Sequence, residues 1–397
     1  MLPRVKIYFE NGLLGSVTPS DDGVAALIAT GVVVGTTFLL ATPYLLTSLD
    51  NLTELGITED NNPTIYKAVK EFYTEAPANS KLWIYGVADT VKLADMVDTT
   101  GAHGKKLLNA ANGTINILML SKKDASGYTP TITDGLDSDA YAAITKAQAL
   151  AEWATNEKFA PCMVVIPGRH YSGTPSDLAD LSERNDNRVC LLIGDSIKGS
   201  KDAAVGLLAG RISAIPVQRS IARVKSGAIG VDSLYIGNDQ PEFANPELIH
   251  DAGFITFRTF VGKAGYYFTD DKLATDPTED YALIPRRRTI DKAYRLAYQT
   301  LMNELNDEIP VTDSGTIPAA IVKNIQNVVE TAIVNTMTAN GELGNDPTDP
   351  NDLGVQCYID HTQNVVQTGQ LKVKLRIKPF GYPKYIDVYL GFQTATT

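Results

Sequence analysis

Asp139-Ala-Tyr-Ala-Ala-Ile-Thr-Lys-Ala-Gln-Ala-Leu-Ala-Glu-Trp-Ala-Thr-Asn-Glu-Lys-Phe159 runs into Ala160-Pro-Cys-Met163-Val-Val-Ile166, and the junction between the two decides the fold class. In the first stretch Ile144, Ala147, Leu150, Ala151 and Ala154 recur at three- and four-residue intervals, which is one face of a helix. Asp137 or Ser138 stands where an N-cap must accept a free backbone N–H. The run 163–166 is continuously apolar and too short for a helix, the pattern of a strand buried on both faces. A helix that feeds such a strand is half of a βαβ unit, so a parallel sheet with helices on both faces is expected.

The same alternation extends outward from this junction. Residues 82–87, 115–120 and 189–193 are further apolar runs spaced by helix-like stretches, and 201–212 reads as a helix that ends before Pro216. These predict a largely parallel α/β domain over 21–235. The longest apolar run, 24–46, is broken by Gly31, Gly35 and Pro43, and reads as a buried strand-turn-helix element, not a membrane span. Beyond 235 the period changes to an α+β pattern over 236–380. A strand is expected at 254–260 and an amphipathic helix at 286–308, with Ile290, Ala293, Tyr294, Ala297, Leu301 and Leu305 on one face. A second helix is expected over 316–337, with Ile321, Ile325, Val328 and Ala332 on its face, then strands at 355–359, 370–378 and 385–392. Residues 1–20 and 381–397 read as terminal arms.

Composition narrows the function classes. The chain has 397 residues, enough for two or three domains, and 44% apolar with 20% charged residues is ordinary for a folded protein. Its net charge of −11 argues against nucleic acid or an anionic membrane as partner. Cys162, Cys190 and Cys357 are widely separated and read as buried thiols of a reducing compartment. With no apolar leader in the opening residues, folding in the cytoplasm is expected.

The constellations that enzyme chemistry demands are missing from the pattern. Neither phosphate-binding glycine motif occurs, and the nearest stretch, Ile193-Gly-Asp-Ser-Ile-Lys-Gly199, reads as a plain strand-to-helix loop. His103, His170, His250 and His361 are too far apart for one helix to present two of them to a metal. No nucleophile elbow occurs, and the acidic group Asp270, Asp271, Asp276, Glu279 and Asp280 lacks calcium-loop order and reads as a solvated turn. No catalytic, cofactor-binding or metal residue is therefore assigned.

Two features look like interaction chemistry. In Gln370-Leu-Lys-Val-Lys-Leu-Arg-Ile-Lys378, Leu371, Val373, Leu375 and Ile377 share one strand face while Lys372, Lys374, Arg376 and Lys378 share the other. Four like charges on one face call for an acidic surface, on this subunit or another, or a merely solvated face. Arg286, Arg287 and Arg288 open a helix, where the dipole disfavours cations, and this broken rule points to a partner. The termini add a third signal. Val5, Ile7 and Phe9 alternate with polar residues at one end, and Tyr385, Ile386, Val388 and Leu390 mark a strand at the other. A lone terminal strand satisfies its backbone either within the chain or on a neighbour's sheet edge, and the second contact is heterologous, giving rings or helical filaments.

The C-terminal third resembles contractile tail sheath proteins of phages, tailocins and contractile injection systems, a group that includes type VI secretion-like sheaths. The resemblance is carried in order by four segments. They are Gly253-Phe-Ile-Thr-Phe-Arg258 with Gly262-Lys-Ala-Gly265-Tyr-Tyr-Phe; Arg286-Arg-Arg-Thr-Ile-Asp291 and its helix; the helix ending at Gly341; and Val355-Gln-Cys-Tyr-Ile-Asp360 through Asn364, Gly369, Pro379, Pro383 and Tyr385. It spans roughly 250–392. The Trp-Gly-Ala-Arg of many sheaths is replaced here by Tyr267-Phe-Thr-Asp270, which marks a divergent branch.

The resemblance implies a structural, non-enzymatic subunit: a helical homo-polymer of stacked hexameric rings around an inner tube protein, with baseplate and terminator proteins as further partners. It implies no cofactor, no nucleic acid and no direct membrane insertion. Assembly would take place in the cytoplasm, within a phage-tail-like particle. The domain over 21–235 would be inserted and face outward, 236–380 would be the sheath-like domain, and the arms would interlace neighbours through Val5, Ile7, Phe9, Tyr385, Ile386, Val388 and Leu390. Arg286, Arg287, Arg288, Lys372, Lys374, Arg376 and Lys378 would contact tube or neighbour. The rival reading is a cytoplasmic α/β enzyme that binds a small ligand at the topological switch point of the sheet.

Overall fold

The structure is a computed structural model that describes residues 21–391, so Val5, Ile7 and Phe9 lie outside the described residues. The chain divides into two compact units between Tyr298 and Gln299. In the first unit β1 (Ala25–Thr30), β2 (Pro43–Leu46), β3 (Leu82–Val87), β4 (Ile117–Ser121), β5 (Met163–Pro167) and β6 (Val189–Leu192) form a six-stranded sheet in the order β2-β3-β1-β4-β5-β6. All neighbours are parallel except β2, which closes one edge antiparallel to β3. The five parallel strands therefore follow the doubly wound order 2-1-3-4-5.

Each central strand is apolar throughout because each feeds two cores. Ala25, Leu27 and Ala29 of β1 join one buried cluster with α1 (Pro63–Glu75) and α3 (Val205–Ala214). Ala26 and Ile28 join the other with α2 (Ser138–Lys158). The residues of β4, β5 and β6 divide in the same alternating way. Asp137 caps α2 by accepting from the Asp139 amide at 3.2 Å, and the helix stops at Phe159, whose φ of 54° is left-handed. The expected strand-turn-helix over 24–46 is a strand, a loop and an edge strand. Its loop closes on a Val34–Phe38 bridge, and no helix forms.

The period change near 235 does not mark a break in packing. Phe254, Ile255, Phe257, Phe268 and Ile284 all enter the two cores of the first unit, and Ile255 lengthens the sheet through a bridge to Leu192. The hairpin β7 (Phe257–Phe260) and β8 (Lys263–Phe268) and most of α4 (Ile284–Leu301) thus belong to that compact unit, which continues past 235/236 to Tyr298. The helix expected to run to 308 stops at Leu301 in a 3-10 turn.

The second unit is small. α5 (Ala319–Ile333) buries Val322, Ile325, Val329 and Ile333, one residue round from the expected face, and leaves Val328 40% exposed. It covers an antiparallel pair, β9 (Val355–Ile359) and β10 (Val373–Ile377). No helix of the described residues is long and apolar enough to cross a membrane.

Candidate interaction surfaces

The sheet of the second unit has two strands and takes its apolar cover from α5, because a two-stranded sheet alone is marginal in water. In register, Val355 faces Ile377, Cys357 faces Leu375 and Ile359 faces Val373, and this apolar side lies under α5. On the far edge of β9, the Cys357 amide donates to Glu330 Oε1 at 2.8 Å and its carbonyl accepts from Gln326 Nε2 at 3.1 Å, so α5 covers that position. β10 has β9 on one side and no strand on the other among the described residues. Its exposed face carries Lys372, Lys374 and Arg376, with Lys374 opposite Tyr358 and Arg376 opposite Gln356; Asp360, just past the end of β9, is the acid nearest Lys374 across the pair, and no ion pair forms between them. Lys378 differs from them, since its Nζ lies 2.5 Å from Asp352 Oδ2, which pulls the Asp352 carboxyl down to about 2.

Tyr385, Ile386, Val388 and Leu390 are 84%, 77%, 78% and 96% exposed and join no strand. Four apolar side chains in so short a segment are left in solvent.

Arg287 and Arg288 are not available to a tube or neighbour, which corrects the expectation for the arginine run. Both are buried: Arg287 pairs with Asp291 at 2.7 Å and lies over the Tyr281 ring, and Arg288 donates to the carbonyl oxygens of Ile215 and Pro216. Arg286 beside them is half-buried. Arg295, two turns further along α4, donates to the carbonyls of Gly113, Ile115 and Pro161, just before β4 and β5. Arg188 completes the set with a two-point pair to Asp291. Arg295 clamps the loops that enter β4 and β5 and Arg288 holds the loop after α3, both through backbone carbonyls, while Arg287 and Arg188 share Asp291. Fixed guanidinium forks suit that task better than ammonium groups.

The switch point, between the carboxyl ends of β1 and β4, is filled by protein. The Lys123 amide donates to Thr30 Oγ1 at 3.2 Å, and Ser121 Oγ donates to Asp202 Oδ2 at 2.6 Å. Arg169 lies against Asp124, Asp137 and Asp202, and Lys67 lies 3.0 Å from Glu71 and 2.7 Å from Asp195. An open cleft of about 450 Å³ lies elsewhere, beside Thr74, Arg211 and Arg223. Sequence reasoning missed this ionic network, because its members come from five separated segments with no shared motif.

Among the described residues no group of three or more His, Cys, Asp or Glu could hold a metal ion. The three cysteines are free and buried, and burial pushes the Cys162 and Cys357 thiols up to about 11. The acidic group at 270–280 is only partly the expected solvated turn. Asp270 and Asp271 are buried, with Asp270 3.2 Å from His250, whereas Asp276 and Asp280 are exposed.

The fold recurs in solved structures. A chain of the anti-feeding prophage baseplate matches with a TM-score of 0.63 and 15% identity over 99% of both chains. The contracted helical sheath of that prophage matches at 0.61 and 15% identity, over 98% of this chain and 99% of that one. The contracted PVC sheath complex of an extracellular contractile injection system matches at 0.64 and 12% identity, over 98% and 97%. The fold is that of contractile sheath proteins. Comparison with curated protein sequences gives no match. The chain belongs to the DUF2586 family, whose N-terminal domain matches residues 2–272 and whose C-terminal domain matches residues 280–397.

Proposed function

We propose that the chain is the structural sheath subunit of a contractile tail or injection machine. It would polymerise as stacked hexameric rings around an inner tube, dock on a baseplate, and shorten to drive the tube through a target envelope. The observation that carries this reading is the pairing of a vacant strand edge on β10 with an exposed apolar segment at 385–390, in a chain with the sheath fold. A strand donated by one copy to the edge of the next satisfies both, and repetition of that heterologous contact gives rings and stacks. The cationic face of Lys372, Lys374 and Arg376 then meets an acidic surface of tube or neighbour.

Such a polymer needs no catalytic site. Work comes from relaxation of an extended lattice to one that buries more intersubunit surface, while the arms keep the subunits joined. The α/β unit faces outward, and the particle assembles in the cytoplasm. The test is negative-stain electron microscopy of the untagged chain at high concentration. Striated hollow tubes of uniform width are expected, and a monodisperse small oligomer at every concentration would sink the reading.

A further inference from the structure

The ionic network at the carboxyl edge of the sheet is short of positive charge. Glu71 of α1, Asp195 of the loop after β6, Asp202 before α3, Asp137 at the cap of α2 and the more exposed Asp124 supply five carboxylates. Two cations pair with them, Lys67 of α1 and Arg169 after β5. Lys122, at the end of β4, turns its ammonium to the carbonyl oxygens of Asp89 and Lys123 instead, and His170 reaches only Asp124. Buried carboxylates in excess of their counter-charges cannot all stay ionised.

The oxygens that lack donors mark where the excess lies. Glu71 Oε1 accepts from Ser196 Oγ at 2.6 Å and lies 3.0 Å from Lys67, yet Glu71 Oε2 is buried with no hydrogen-bond partner. Asp202 Oδ2 accepts from Ser121 and from the Lys122 amide, while Asp202 Oδ1 is buried without a hydrogen bond and has the Arg169 Nε 3.9 Å away; Asp195 Oδ2 is also buried without a hydrogen bond. Glu71 and Asp195 also share donors, since Lys67 and the Ser196 hydroxyl reach both. Two carboxylates that divide one ammonium leave Glu71 short of counter-charge.

We propose that this edge is a proton-binding site, in which Glu71 carries a proton in the folded first unit that it releases when the unit unfolds, so that mild acid fastens α1 to the 195–202 loop. Burial, reinforced by Asp195 and opposed by Lys67, pushes the Glu71 carboxyl from 4.5 up to about 7. Burial likewise raises Asp202, against Arg169 and Lys67. A carboxyl raised on folding holds a proton that the unfolded chain has already lost, so stability falls as pH climbs through that window. The full span for Glu71, from well below pH 4.5 to well above pH 7, is a weakening of the folding equilibrium by roughly 300-fold. The site does not depend on polymerisation, and it goes beyond the sheath reading.

The experiment is urea unfolding of the full-length chain at low concentration across pH 5 to 8, followed by tryptophan fluorescence. Both tryptophans, Trp83 and Trp153, lie in the first unit. The wild-type midpoint should fall with rising pH, and Glu71→Gln should flatten that fall and raise the midpoint at pH 8. Infrared spectroscopy of the folded protein supplies an independent reading, because a protonated carboxyl gives its own C=O stretch. That band should be present at pH 6, fade toward pH 8 and shrink in Glu71→Gln. A pH-independent wild-type midpoint together with no carboxylic-acid band at pH 6 would overturn the proposal, as would a band unchanged in Glu71→Gln.

Discussion

The guanidinium of Arg295 donates to the carbonyl oxygen of Ile115 at 3.0 Å, across 180 residues of chain, at the point where the backbone enters β4. The same side chain holds the carbonyls of Gly113 and Pro161, so one fork ties α4 to the loops before two adjacent parallel strands. Those carbonyls end a run of loop and have no ladder partner to return to. Arg295→Met leaves them desolvated and unpaired, and should destabilise the first unit by about 3 kcal/mol. Arg295→Lys, a single ammonium that cannot span three acceptors, should recover only part of that loss. Urea unfolding followed by tryptophan fluorescence reads both, and equal stability of Arg295→Met and wild type would refute the clamp.

Gly206 and Gly210 set how closely α1 and α3 approach. A Cβ on Gly206 would lie 2.2 Å from the Ala68 carbonyl oxygen, and one on Gly210 would lie 2.5 Å from that of Phe72. Alanine gains about 1 kcal/mol of helix propensity over glycine, whereas forcing apart a closed interface costs about 1–3 kcal/mol. Contact with rigid backbone leaves no side chain to swing away, so the steric cost wins. Gly206→Ala should lower the melting temperature of the first unit, and a variant more stable than wild type would show that the helices can separate freely.

The doubly wound sheet was legible because each of its parallel strands is apolar on both faces. The runs at 82–87, 163–166 and 189–193 needed no tertiary information, and Asp137 before α2 is a local signal for a local hydrogen bond. The arginines of α4 broke a local rule in plain view, but their partners are carbonyls of Ile215, Ile115 and Pro161, which no side-chain pattern announces. Near 235 the change of period is a change from helices and strands to a meander. Phe254 and Phe257 then return to the same cores, a packing fact invisible to periodicity. The alternation of 370–378 placed the cations on one face correctly, yet it could not show that Asp352 would take Lys378 and leave the other three facing solvent.

The exposed segment after Lys384 contributes nothing to the subunit's own packing. Tyr385, Ile386, Val388 and Leu390 are all more than three-quarters exposed, so ending the chain before Tyr385 should leave thermal unfolding of the subunit within about 0.5 kcal/mol of wild type. Assembly should be lost, because the vacant edge of β10 then has no donor. Sedimentation velocity of wild-type and shortened chains separates the two effects. Normal polymers from the shortened chain would remove this segment from the contact.

Reversing charge on β10 separates a partner contact from a solvated face. Lys374 and Arg376 stand two residues apart on one exposed face and repel each other, so Lys374→Glu with Arg376→Glu relieves no intrachain ion pair and should leave the subunit folded. If the face meets an acidic surface, each reversal places like charge against like, and the yield of polymer should fall at least tenfold at low salt, about 1.4 kcal/mol or more per contact. The wild-type polymer should also weaken as salt rises toward 1 M, where screening shortens to about 3 Å, and the reversed variant should lose that dependence. Lys378→Glu is the internal control, since it also breaks the pair with Asp352 and alters the loop that carries it. Polymer yield unchanged by the double reversal at every salt concentration would assign the cationic face to solvent and leave strand exchange alone to hold the lattice.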